Sequence, residues 1–164
     1  MTTTLVTEPG YESVLKIEPP FLPGHLTGDA DGPGTHRHLR FIYGIPVKVM
    51  QDFQESGATL ISNDLRSMSA DVSVTLRITD SAELLRVAGE DWYGQEVRMA
   101  VSASAGLAGM YFTQKDLQDA DPLKRVLLDT AGASQLQKIL VEKDLPLEVH
   151  QYRILKIYPQ ESVD

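Results

Sequence analysis

The chain has 164 residues, 42% of them hydrophobic, which is the size of one ordinary domain with enough apolar material to close a core. It contains no cysteine, so disulfides, thiolate nucleophiles, cysteine-ligated zinc and iron–sulfur clusters are excluded together. A formal net charge of -8, with Lys and Arg scattered in ones and twos, opposes the counterion displacement that a phosphate backbone demands, and nucleic acid is not expected as a partner.

In chain order, residues 1–10 are Thr-rich and end in Pro9-Gly10, which predicts a mobile N-terminal arm ahead of a single domain over 11–159 and a short tail over 160–164. This N-terminus has no basic region and no long apolar run, and no stretch approaches the roughly 20 apolar residues that span a bilayer. The expectation is a soluble, cytoplasmic protein without a membrane partner.

Tyr11 to Glu18 alternates as a short strand that stops at Pro19-Pro20. The segment PPFLPGHLTGDADGPGTHRH that follows is dense in Pro and Gly and predicts one long loop, with His25, His36 and His38 on or beside it together with Asp29 and Asp31. Leu39, Phe41, Tyr43, Ile45, Val47 and Val49 then fall on one side of an extended segment that Gly44 and Pro46 bend or bulge.

Ala70 to Thr79 is the clearest strand, with Ala70, Val72, Val74, Leu76 and Ile78 alternating against polar partners as in an antiparallel sheet with one wet face. Asp80 with Glu83 three residues on predicts a helix cap, and Gly89 the end of a short helix through SAELLRVA. Glu96 to Ser104 repeats the alternation and predicts a strand, with Val97, Met99, Val101 and Ala103 facing inward.

Asp121-Pro122 predicts a helix start with Leu123, Val126 and Leu127 as its apolar face. Ser134 with Gln137 predicts a second helix that Pro146 ends, so Asp129-Thr130-Ala131-Gly132 is expected as the turn between two helices. Leu147 to Tyr158 predicts a final strand that is apolar on both faces: Val149, Leu155 and Ile157 on one, Tyr152, Ile154 and Tyr158 on the other. A strand of that kind is expected either in the interior or at an interface, and the second case marks Tyr152, Ile154 and Tyr158 as candidate interface residues. Short-turned strands with helices mainly in the C-terminal half predict an α+β domain on an antiparallel or mixed sheet, with a curled sheet or partial barrel as the alternative.

His36 and His38 are two apart, so on a strand both rings leave the same face, as two ligands of one ion must. His25, Asp29 or Asp31 would supply a third ligand, and imidazole with carboxylate suits a divalent transition metal. Asp29-Ala30-Asp31-Gly32 also resembles the opening of a calcium loop, but the later carboxylates are missing and a turn is the better reading. No phosphate loop of the form GxxxxGK[ST], no GxSxG, no GxGxxG after a strand and no HExxH occurs, and no spacing selects a Ser for a triad with His150. Trp92 and Tyr93 before Gly94, and Tyr111-Phe112 after the AGLAGM stretch, are aromatics beside glycines that could line a ligand pocket or anchor an interface, but they read more readily as plugs of the core.

Two functions follow as expectations. The first is a non-enzymatic protein-interaction or assembly module that is oligomeric or binds a protein partner. The second is a small-molecule-binding enzyme of the cyclase, isomerase or lyase type that uses the histidine loop, with no cofactor identified beyond a divalent transition metal.

Overall fold

The computed structural model describes residues 2–119 and 121–159, so the expected tail over 160–164 lies outside the described residues. The fold is α+β, with 33% helix and 45% strand, antiparallel sheets that do not close into a barrel, and helices mostly in the C-terminal half. Strands β1 (Thr2–Thr7) and β4 (Gly34–Leu39) pair with each other, and β2 (Tyr11–Ile17) is flanked by β3 (His25–Asp31) and β5 (Ile42–Lys48). The third sheet has the order β6 (Met50–Ile61), β7 (Ser67–Ile78), β8 (Leu147–Pro159).

Two expectations for the N-terminal part change. Thr2–Thr7 forms β1 where a mobile arm was predicted, with Leu5 opposite His36 and Thr3 opposite His38. The Pro/Gly-rich segment is no single loop: it is broken into β3 and β4 by a turn at Gly32-Pro33, and Gly28 and Gly34 take the positive φ values that let the chain change direction.

The core lies between β6–β7–β8 and a layer of helices. On β7 every second residue from Met68 to Ile78 is buried, as the alternation predicts, while Ser69, Asp71, Ser73 and Thr75 line the polar face. Helix α1 (Ser81–Ala88) begins at Asp80, whose side chain accepts the Glu83 N–H at 2.9 Å, and ends at Gly89 with φ 73°.

The predicted strand over 96–104 is instead a π-helical turn (Tyr93–Val97) running into α2 (Arg98–Gly109). Val97, Val101, Ser104, Ala105 and Ala108 are buried at helical spacing, whereas Met99 is exposed, so the apparent alternation was a short sample of a 3.6-residue period. Small residues let this helix lie close on β6: a Cβ at Gly109 would stand 2.7 Å from the Ile61 carbonyl oxygen.

After α3 (Gln114–Gln118), α4 (Pro122–Glu142) runs unbroken through the predicted interhelical turn. Leu128, Gly132, Leu136 and Leu140 make its buried stripe. Gly132 is there for close approach and not for a turn, since a Cβ on it would lie 2.2 Å from Cε1 of Tyr152. The outer edge of β8 is satisfied by side chains of α4: Asp129 accepts the Ile154 N–H and Gln137 accepts the Val149 N–H, each at 2.8 Å.

Bulges decide which side chains β8 buries. Thr75 and Leu76 face Gln151 and Val149, leaving His150 extra, and Val72 and Asp71 face Ile154 and Lys156, leaving Leu155 extra. Each bulge shifts the alternation by one, so Leu147, Val149, Tyr152, Ile154 and Ile157 share the core face, and Leu155 and Tyr158 do not. The two-faced strand expected from strict alternation is therefore one-faced. A bulge at Ser56-Gly57, opposite Asp71, does the same for β6, moving burial from Phe53 and Glu55 to Ala58 and Leu60.

Candidate functional site

Of the five residues expected around a metal, the fold brings three together. His36 and His38 leave the same face of β4, their rings nearly parallel at 28° with centroids 6.4 Å apart. Asp31, at the end of β3, sits against both: its Oδ2 meets His38 Nε2 at 2.5 Å and its Oδ1 faces His36 Nδ1 at 3.8 Å. His36 Nε2 lies 2.9 Å from the Gly32 carbonyl oxygen. His25 and Asp29 are exposed on β3, and among the described residues neither bonds to the other three. Among the described residues, no group of three or more His, Asp or Glu side chains could hold a metal ion with the side chains where they now lie.

The three candidate interface residues separate. Tyr152 and Ile154 are 5% and 6% exposed inside the chain's own core. Burial pushes the Tyr152 hydroxyl up to about 12, and that hydroxyl shares a hydrogen bond of 3.1 Å with Ser104. Tyr158 remains on the polar face, where its OH donates to Asp71 Oδ2 at 2.8 Å, an acceptor that raises its pKa.

Two further features emerge from the fold, and in the second Tyr111 is exposed where a core plug was expected. The first is an aromatic and charged corner where the π-helical turn meets β6. The Tyr93 hydroxyl donates to Glu55 Oε1 at 2.7 Å, Arg98 Nε donates to the same oxygen at 3.2 Å, and Phe53 stacks on the Tyr93 ring at 3.6 Å. Burial, and then the Glu55 carboxylate, push the Tyr93 pKa far up. A cleft of about 380 Å³ opens beside this corner, with Glu90 and Asp91 in its lining. Trp92 and Tyr93 themselves are buried, as expected of core plugs.

The second is an apolar groove of about 400 Å³ between the turn after α2 and the middle of α4, lined by Tyr111, Phe112, Leu127, Thr130, Ala131, Ser134 and Gln135. Leu123, Val126 and Leu127, predicted as the apolar face of a helix, form such a face but turn it to solvent, each more than half exposed. Tyr111, also exposed, is held at the rim by Gln135 Nε2, which donates to its hydroxyl at 3.2 Å. The signal for this groove was present in the sequence as the apolar start of α4. What was hidden is that Leu128 and Leu136, not Leu123 and Leu127, meet the sheet.

No protein-family model matches the chain, and no curated protein is significantly similar to it. Among the described residues no helix is long and apolar enough to cross a membrane.

Proposed function

We propose that this chain is a non-enzymatic assembly module that associates with a second copy of itself through the apolar face at the start of α4. The observation that carries this reading is the groove itself. It joins an exposed Leu/Val face to the Tyr111 rim, and an apolar patch that a monomer leaves open is most often an interaction site.

Charge favours a second copy as the occupant. A chain of net charge -8 repels its own kind over most of its surface, but none of the seven residues lining the groove is ionisable at neutral pH. Two copies can bring this face together without setting like charges against each other, and a two-fold contact of one patch with itself is the commonest solution.

Light scattering during size exclusion tests the proposal. The expected mass exceeds the 18.1 kDa of one chain, and Leu127→Glu or Tyr111→Ala returns it to that value with circular dichroism unchanged. Tyr158→Glu, on the polar face of the sheet, leaves the mass as it was. A strict monomer at tens of micromolar refutes the self-association reading.

The second reading, a small-molecule enzyme of the cyclase, isomerase or lyase type that uses the histidine segment, is favoured by one observation: Asp31, His36 and His38 converge. A lyase or isomerase needs an acid–base pair of this kind at hydrogen-bonding range. A small molecule that perturbs the imidazole resonances of His36 and His38 supports it, and unperturbed resonances across a metabolite library count against it.

A further inference from the structure

We propose that Asp31, His36 and His38 are the ligand set of a divalent transition-metal site that clamps the end of β3 to β4. This inference does not depend on the α4 groove, which involves none of these residues.

The argument starts from the proton on His36. Its Nε2 lies 2.9 Å from the Gly32 carbonyl oxygen, and a carbonyl has no hydrogen to give, so Nε2 carries the proton and donates it. In the neutral ring this leaves a lone pair on Nδ1, facing Asp31 Oδ1 at 3.8 Å. At that distance the two atoms share no direct hydrogen bond, and a cation beside both would satisfy the nitrogen lone pair and the carboxylate together. A backbone carbonyl that fixes one imidazole nitrogen while the other points at the ion is the usual outer support of a metal-bound histidine.

The third donor would be His38. His38 Nε2 meets the other carboxylate oxygen at 2.5 Å, a contact now bridged by a proton that a metal would displace. Ligands about 2.0–2.2 Å from a tetrahedral ion stand roughly 3.3 Å from one another. The His38 contact must therefore open by about 0.8 Å and the His36 contact close by about 0.5 Å, which small side-chain rotations supply.

The backbone holds the set together. Asp31 and His36 are joined by Gly32, Pro33, Gly34 and Thr35, a turn stiffened by the proline and bent at Gly34, whose φ of 135° suits glycine. β4 fixes the two rings on one face. Asp31 and His38 are about 15% exposed and His36 a third, so the fourth position opens to solvent on the His36 side and takes water. Two imidazoles and a carboxylate suit zinc, cobalt(II) and nickel better than calcium or magnesium. Because β3 belongs to the β2 sheet and β4 pairs with β1, the bound ion cross-links two sheets.

The test uses the full, untagged chain, stripped with chelator and titrated with zinc and with cobalt(II). The expected result is one ion per chain, a raised melting temperature, and a visible cobalt absorption band of tetrahedral type. His36→Gln, His38→Gln and Asp31→Asn each weaken binding at least about tenfold, while His25→Ala leaves it unchanged. Asp31→Asn is the discriminating variant because it keeps both imidazoles. If it binds zinc as the parent does, the histidines are a surface chelate and the three-ligand site is wrong. Absence of stoichiometric binding by the parent overturns the proposal outright, as does binding that survives both histidine changes. Each variant is read beside its far-UV circular dichroism, and the parent titration decides the matter even for a variant that does not fold.

Discussion

Gly132→Ala tests the central packing contact of the C-terminal half, where α4 crosses β8. The added Cβ would lie 2.2 Å from Cε1, 2.7 Å from Cζ and 2.9 Å from Cδ1 of Tyr152. Carbon atoms in ordinary contact stand about 3.5–4.0 Å apart, so the helix or the ring must retreat by roughly 1.3 Å or more. Neither moves freely. The Tyr152 hydroxyl is held by Ser104, and α4 is tied to the β8 backbone through Asp129 and Gln137 on either side of Gly132. Overpacking of this severity costs about 3 kcal/mol, and the better helix propensity of Ala returns about 1 kcal/mol, for a net loss of about 2 kcal/mol. For a domain of this size the melting temperature falls by roughly 4–8 °C. Urea unfolding of Gly132→Ala, Tyr152→Leu and the double variant gives the check, because removing the ring should relieve the clash and produce a coupling of about 1 kcal/mol or more. A Gly132→Ala protein as stable as the parent would refute the close contact, and with it the account of why a glycine stands in the middle of this helix.

Val74, 1% exposed at the centre of β7, sets a second test: Val74→Asp places an unpaired carboxylate in the core at a cost of several kcal/mol and should abolish soluble folded protein, and a parent-like melt would invert the assigned face. A third follows from Tyr152, whose folded pKa of about 12 exceeds the unfolded value of about 10. The folded state then holds a proton that the unfolded chain has lost, so this contribution is complete below pH 10 and vanishes as pH rises through about 12. The shift corresponds to roughly 3 kcal/mol, and Tyr152→Phe should flatten the decline in melting temperature over that window. Equal alkaline decline in parent and variant would remove Tyr152 from the explanation.

The features legible in the sequence are those whose cause is local. Alternation over 70–79 specified a strand with one buried face because the side-chain period of a strand is two, whatever the strand packs against. Asp80 with Gly89, and Asp121 with Pro122, marked helix ends because the unpaired N–H and C=O groups there are satisfied by neighbours in sequence. The spacing of His36 and His38 likewise placed both rings on one face. Tertiary structure decided the rest. The run over 96–104 satisfies a period of two and one of 3.6, and only packing of its small residues against β6 selects the helix. The turn read at Gly132 is a contact with Tyr152, twenty residues away in sequence, so nothing local distinguishes it from a helix break. The bulges at His150 and Leu155 arise from pairing with β7, and they carry Tyr152 and Ile154 into the core, away from any partner. Asp31 joins the histidines, and Asp29 and His25 do not, because the Gly32-Pro33-Gly34 turn lays the end of β3 against β4. The sequence names the residue types of that cluster, but the fold chooses its members.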